Sequence, residues 1–355
     1  MTDWFVDTFA IAQLWLFESA VQPVMLAAGL SGVLEEGFNA AGWLLVGLLQ
    51  MAVIACIFVP LQRLLPVQAV TNRATVRTDM LYTAIHRLGL FRVGLFLTVD
   101  PLFDAAFGAL RQQGISGIHL DQLLGISGNA LLSFVAYVVV LDFAGYWIHR
   151  GQHQFNWWWK LHSLHHAQQQ MTVWSDNRNH LLDDLLVDSL LVLVAQLIGV
   201  APGQFIAFTA LTQLSESFQH GNLKIWFGRV GERLWVSPRF HRLHHAVGIG
   251  HESPFKVSTA GPPQDARAHS TGNAGAPPLA EGSAALAVAS VEATTLGGHN
   301  FGVLLPWWDS LFKTANYEKR FDVTGVRDQL EQGRDYGRGF WSQQWLGVKR
   351  LAGRA

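Results

Sequence analysis

The chain has 355 residues, half of them hydrophobic and only 14% charged, where an ordinary soluble domain carries about 25% charged residues. Its mean hydropathy of +0.21 points the same way: this reads as a membrane protein whose charges are crowded into a few segments. The net charge of −1 excludes the broad basic field that binds nucleic acid. The single cysteine, Cys56, excludes an internal disulfide and a cysteine-ligated metal or cluster. The N-terminus is polar and acidic, so no cleavable signal peptide is expected.

Residues 11–33 are apolar but interrupted by Glu18, Gln22 and Pro23, and they either span the bilayer or lie in its interface. Residues 41–60 are long enough to span, since the hydrocarbon core needs about 20 residues. Glu35 and Glu36 precede this segment. Arg63, Arg73, Arg77, Arg87 and Arg92 follow it, which makes the next loop cytoplasmic by the positive-inside rule. Residues 93–110 form a shorter span broken by Asp100, Pro101 and Asp104, and 129–148 form a better one. The connection 112–128 is Gly-rich and nearly free of Lys and Arg, as an external turn should be. The chain then returns to the cytoplasm just before His149.

Residues 185–214 are divided by Gly199, Pro202 and Gly203 and are too short for two spans. They read as a shallow or re-entrant helical hairpin whose ends face one side. Lys224, Arg229, Arg233, Arg239 and Arg242 give 223–245 a cytoplasmic character. Residues 257–297 are rich in Ala, Gly, Pro, Ser and Thr and cannot bury enough surface to offset their ordering entropy, so a flexible insert is expected there. The expected fold is all-α, a multi-pass transmembrane helical bundle with a cytosolic histidine-rich helical cap. It divides into a transmembrane region (1–128), a core (129–256), the insert (257–297), the end of the core (298–316) and a charged, aromatic, partly helical tail (317–355).

The histidines organise the chain. His149 and His153 stand at i, i+4, and His162, His165 and His166 follow in an HxxHH spacing that recurs at His241, His244 and His245. Residues three and four apart share a helix face, so each motif is expected to aim its imidazoles at one point. Imidazole suits iron, zinc, copper and nickel. A tetrahedral zinc takes four ligands, so these clusters call for two ions side by side. His180 and His220 lie between the clusters and are further candidates, and His251 and His299 flank the insert as ligands or as partners near the site. His86, His119 and His269 read as ordinary interfacial or core histidines. Asp142 is an acid inside an apolar span, which is costly and usually functional. It lies two turns before His149, and the expected job is to orient a ligand imidazole from behind. Trp157, Trp158 and Trp159 read as an interfacial aromatic belt.

Taken together, DFAGYWIHRGQH, LHSLHH, FQHGN, PRFHRLHH and NFGVLLPWWDSLF resemble the fatty acid hydroxylase/sterol desaturase superfamily of integral-membrane di-iron oxygenases, over about 130–256 and 297–316. The resemblance implies that His149, His153, His162, His165, His166, His241, His244 and His245 hold two iron ions, with His220 and His180 matching further family histidines. It implies O2-dependent hydroxylation of a lipid drawn from the bilayer, fatty acyl, sterol or related, with electrons from a separate donor protein. Desaturation and ether-lipid cleavage are other outcomes of the same chemistry. Two departures stand out: the insert, and Lys313 in LFKT, where a glycine is common. A non-redox zinc hydrolase, a structural metal protein and a metal transporter are the rival readings, and zinc also substitutes for iron during isolation. A bacterial inner membrane is the expected location.

Overall fold

The computed structural model describes residues 2–91, 99–114, 117–247 and 298–355. The insert expected at 257–297, with His269, and His251 before it, lie outside the described residues. Among the described residues every regular element is a helix, with one isolated antiparallel bridge between Ala246 and Thr324.

Pro23, which looks like an interruption in the sequence, and Pro60, at the end of the expected span 41–60, do not break their helices. α1 (Thr2–Leu16) runs through one wide π turn, Phe17–Val21, into Gln22–Ala27. α2 (Leu34–Val53) runs through Ile54–Phe58 into Val59–Leu64 in the same way. A proline removes one backbone donor and its ring crowds the carbonyl four residues earlier. For Pro23 and Pro60 those residues are Ser19 and Cys56, and both lie in the π turns. Widening the turn accommodates the ring and keeps the helix going. Among the described residues three stretches are long and apolar enough to cross a membrane: Val6–Ala27 and Ser31–Leu64, which the π turns keep continuous, and Ala130–Gln154. The shorter span expected over 93–110 lies partly outside the described residues. Its described part, α4 (Asp100–Gln112), has 13 residues, short of the roughly 20 that a crossing needs.

α3 (Arg73–Arg87) is capped by Asn72, whose side chain accepts from the Thr75 N–H at 3.1 Å. It packs against α2 at Gly47, where any Cβ would overlap the Arg87 carbonyl oxygen. α5 (Ala130–Gln154) starts at the Asn129 cap and carries the first histidine pair at its far end. α6 (Asn156–His166) follows after a bend at Phe155 and carries the first HxxHH. The hairpin expected at 185–214 is present as α7 (Leu181–Leu197) and α8 (Pro202–Gln219). α9 (Pro238–His244) carries the second HxxHH. Its start is written in the sequence: Ser237 caps it by accepting from the Phe240 N–H at 3.1 Å, and Pro238 supplies the first-turn φ. The tail ends in α10 (Phe340–Leu351), which lies against α6.

One apolar cluster, Val138, Leu141, Ala195, Phe208, Leu304 and Leu305, joins α5, α7, α8 and the returning segment after the insert. Buried ion pairs lock the loop that follows α6 onto α3. Asp79 pairs with Arg178, and Arg87 reaches Asp176 at 2.6 Å, the Gln213 carbonyl at 2.8 Å and Ser217 at 3.0 Å. Removing one member of such a pair leaves the other charge buried and alone. Lys313 sits at φ +58°, a left-handed conformation that glycine adopts without strain. That backbone angle accords with the glycine that the resemblance leads one to expect at this position.

Candidate metal centre

The last turn of α5, the length of α6, the C-terminus of α8 and the end of α9 converge on two groups of imidazoles. The first holds His149, His153, His162, His166 and His244; the second holds His165, His220, His241 and His245. Within each group the facing nitrogens all lie within 4.8 Å of one another, and every ring but the half-buried His149 is buried. Metal–imidazole bonds of about 2.0–2.1 Å put ligands on opposite sides of an ion about 4 Å apart, so each group is close to the size of one coordination sphere.

The helix period decides which histidine goes where. Pairs at i, i+4 share a face, so His149 and His153, and then His162 and His166, face the first group, while His241 and His245 face the second. The remaining member of each HxxHH points to the other group: His165 to the second and His244 to the first. The expectation that each motif aims at one point is thus corrected. Adjacent residues diverge by about 100° on a helix, so an HH doublet cannot serve one centre and instead straddles two. Where the doublets meet, His166 and His245 stack with ring centroids 4.3 Å apart.

Hydrogen bonds behind the rings set their tautomers. His149 Nδ1 donates to the Phe301 carbonyl at 2.9 Å, His162 Nδ1 to Asp183 Oδ2 at 3.0 Å, and His244 Nδ1 to the His299 carbonyl at 2.8 Å. Each proton on Nδ1 leaves a lone pair on Nε2 facing the first group, where His162 Nε2 and His244 Nε2 are buried without a hydrogen bond. In the second group His220 Nδ1 donates to the Glu216 carbonyl at 2.8 Å. Its Nε2 stands 3.0 Å from the Nε2 atoms of both His165 and His241, and His241 Nε2 is 3.1 Å from that of His245. A proton on His241 that points to His220 cannot also point to His245. Neutral rings cannot satisfy all three contacts at once, whereas one cation would take all four lone pairs. Protonation is no remedy: burial, and after it the neighbouring imidazoles, holds His165, His166, His241, His244 and His245 well below the ordinary histidine range. The donor set therefore fits two soft-to-borderline metal ions.

Several expectations change. His180 joins neither group: its Nδ1 caps α7 by accepting from the Leu182 N–H at 3.1 Å, and its Nε2 donates to the Gln344 carbonyl at 2.9 Å. Asp142 touches no imidazole. It accepts from the Leu304 N–H at 2.8 Å, the Leu305 N–H at 3.2 Å and Trp308 Nε1 at 2.8 Å. It thereby anchors the segment whose Phe301 carbonyl holds His149. The carboxylate that does touch a ring is Asp183, which also accepts from Gln152 at 2.8 Å and Trp158 at 2.6 Å. Its signal was the same as that of Asp142, an acid in an apolar run. Trp158 is buried on Asp183 and Trp159 packs on His153 and His166, so of the expected belt only Trp157 is exposed. His299 supplies its carbonyl, and His119 lies outside both groups.

Residues 134–259 match the fatty acid hydroxylase family. An ornithine lipid hydroxylase of Rhizobium tropici is 24% identical over 233 residues, 64% of this chain and 67% of that protein. A methylsterol monooxygenase of Arabidopsis thaliana is 25% identical over 166 residues, 45% of this chain and 54% of the relative. A very-long-chain aldehyde decarbonylase of Oryza sativa subsp. japonica is 25% identical over 167 residues, 45% of this chain and 52% of its own length. The match thus spans about half the length of the two plant proteins. No solved structure matches. Both histidine groups fall inside 134–259, so the histidine-bearing core is the part of this chain that matches the fatty acid hydroxylase family, to which its relatives' hydroxylase and monooxygenase names also point.

Proposed function

We propose that the protein is a membrane-bound di-iron oxygenase that hydroxylates a C–H bond of a lipid, with O2 as oxidant and a separate protein as electron donor. The observation that carries this reading is the convergence of two groups of imidazoles, five and four, with contacts in the second group that a cation would satisfy and protons on neutral rings would not. Two iron ions held there would supply the O2 activation that unactivated C–H bonds require. The nine imidazoles of the two groups are the proposed ligands. Asp183 and the carbonyls of Glu216, His299 and Phe301 hold four of them in the ligating tautomer. The ligands begin at the end of the span Ala130–Gln154, so a bilayer lipid reaches them without leaving the membrane. The named relatives act on an ornithine lipid, a methylsterol and a very-long-chain aldehyde, which supports a lipid substrate. The arginine-rich segment after Ser31–Leu64 supports a cytoplasmic position for the histidines.

Desaturation remains the second reading, since placement of the substrate decides between the two. The test is anaerobic purification in detergent, metal analysis, and reconstitution with ferrous iron, a reductant and O2, followed by lipid mass profiling. About two irons per chain and a reductant-dependent gain of one oxygen are expected. Loss of two hydrogens would make the protein a desaturase. Tightly held zinc with no oxidised product, or a His165→Ala variant that loses metal yet keeps full activity, would overturn the proposal.

A further inference from the structure

A cavity of about 250 Å³ opens from the histidines into the bundle. His149, His162, His165, His220 and His241 form one end of it, and Leu191, Val192, Phe205 and Phe208 line the other. An acyl chain or a sterol would call for apolar walls throughout. Between the two ends, however, the wall is acidic: Asp176, Asp184, Asp188 and Glu216 all line it. The acids follow from helix spacing. Asp184 and Asp188 are one turn apart on α7, on the face that continues to Leu191 and Val192. Glu216 stands one turn before His220 on α8, below Thr209, Thr212 and Gln213.

The positive charge on the same wall is small. Arg87 is committed to Asp176 at 2.6 Å. Burial, and after it the charge of Arg87, holds His86, 3.3 Å from Asp184, to about 4; burial likewise pushes Asp184 well above the carboxylate range and Glu216 up to about 8, so these acids carry charge only with a cation beside them. The wall also carries buried polar atoms without partners. Asp176 is 7% exposed; its Oδ2 takes Arg87 and Ser217, and its Oδ1 takes nothing. Gln219, 1% exposed, donates to the Val303 carbonyl and leaves Oε1 open. Asn177, 8% exposed, offers a free Nδ2 donor. Unmade hydrogen bonds are costly in a buried site, and here most of the open positions are acceptors.

We propose that this cavity receives the head group of an amine-bearing lipid, with its ammonium among Asp184, Asp188 and Glu216 and its chain toward Phe205 and Phe208. The carbon brought to the histidines then lies in or next to the head group, not far along the acyl chain. This deepens the oxygenase reading and rests on it for the reaction, but head-group choice itself is a property of binding. A competing role for the same carboxylates is to balance the charge of ions held by neutral imidazoles.

The test uses three amphiphiles of one chain length, dodecylamine, dodecanol and dodecanoic acid, bound to the purified full chain in detergent at pH 7 and read by native mass spectrometry. Charge-assisted hydrogen bonds of the order of 1.5–3 kcal/mol correspond to dodecylamine binding about tenfold or more tightly than dodecanol. In the isosteric pair Asp188→Asn and Glu216→Gln that preference is expected to collapse while the metal content holds. Equal affinities in the wild type, or a preference for the acid, would overturn the proposal without any variant having to fold. So would variants that lose metal but keep the preference, the signature of charge balance. Metal and product measured on the same samples keep the two readings apart. Preference without metal or product overturns only the oxygenase, and product without preference overturns only the head-group site.

Discussion

Asp183→Asn tests the logic of the metal centre with the smallest change of shape. In the wild type the carboxylate accepts three hydrogen bonds, at 2.6 Å from Trp158, 2.8 Å from Gln152 and 3.0 Å from His162 Nδ1. Asparagine keeps one acceptor oxygen, and Trp158 and Gln152, which share Oδ1, retain it. The amide NH2 then faces His162 Nδ1. Two donors cannot face each other, so the His162 proton moves to Nε2 and blocks the lone pair aimed at the first group. Leaving one buried donor opposed costs about 1–3 kcal/mol, and losing the group behind a ligand imidazole typically costs 10–100-fold in metal affinity. The assay is metal titration against a competing chelator, with circular dichroism to show that the helices remain. The first group is expected to lose affinity by that factor, while the second, which Asp183 does not touch, keeps its ion. A folded Asp183→Asn variant with both ions at wild-type affinity would refute the tautomer argument.

Other expectations follow from packing and titration. Gly47→Ala forces α2 away from the Arg87 carbonyl and should lower stability by about 1–3 kcal/mol, read as a drop in melting temperature without loss of any ligand. Lys313→Gly relieves a left-handed residue at φ +58° and should raise stability by about 1 kcal/mol in the same assay. The metal-free protein should weaken as pH falls. The five histidines on α6 and at the end of α9 titrate well below 6.5 when folded and near 6.5 when unfolded. The unfolded chain therefore binds more protons below pH 6.5. Their contribution is fully present above that value and falls by up to about 1.4 kcal/mol per pH unit for each histidine. Melting curves of chelator-treated protein between pH 8 and pH 5 check this, and a flat profile would contradict it.

Much of this site was legible in the sequence because imidazole spacing and helix period speak the same language. The i, i+4 pairs fixed their own partners, and two centres were expected from the number of imidazoles; that each HH doublet divides between the two was not read from the spacing. The behaviour of Asp142 and Asp183 was not legible. Both are acids in apolar runs, and only the fold shows that one meets backbone N–H groups beyond residue 300 while the other meets a ring on α6. His180 misled for a related reason: a histidine beside a cluster has the composition of a ligand, and its use as a helix cap depends on Gln344, far along the chain. In the spans, Pro23 looked like an interruption because the sequence gives no sign of the π turn that accommodates it.

Phe301 and His299 bear on how the protein is made. Every proposed ligand has been synthesised once His245 is in place, but the carbonyls that hold His149 and His244 arrive only with residues 301 and 299. At about 5–20 residues per second, translation needs roughly 3–10 s to cover that interval. During it His149 and His244 lack these carbonyl partners, while Asp183 and Glu216, which hold His162 and His220, are already in the chain. A metal met in that window encounters a set of ligands; one met afterwards encounters a shaped site. If the imidazoles hold metal as proposed, selectivity among ions belongs to the finished chain, and an assembly pathway that loads metal late would be choosing with the full geometry in place.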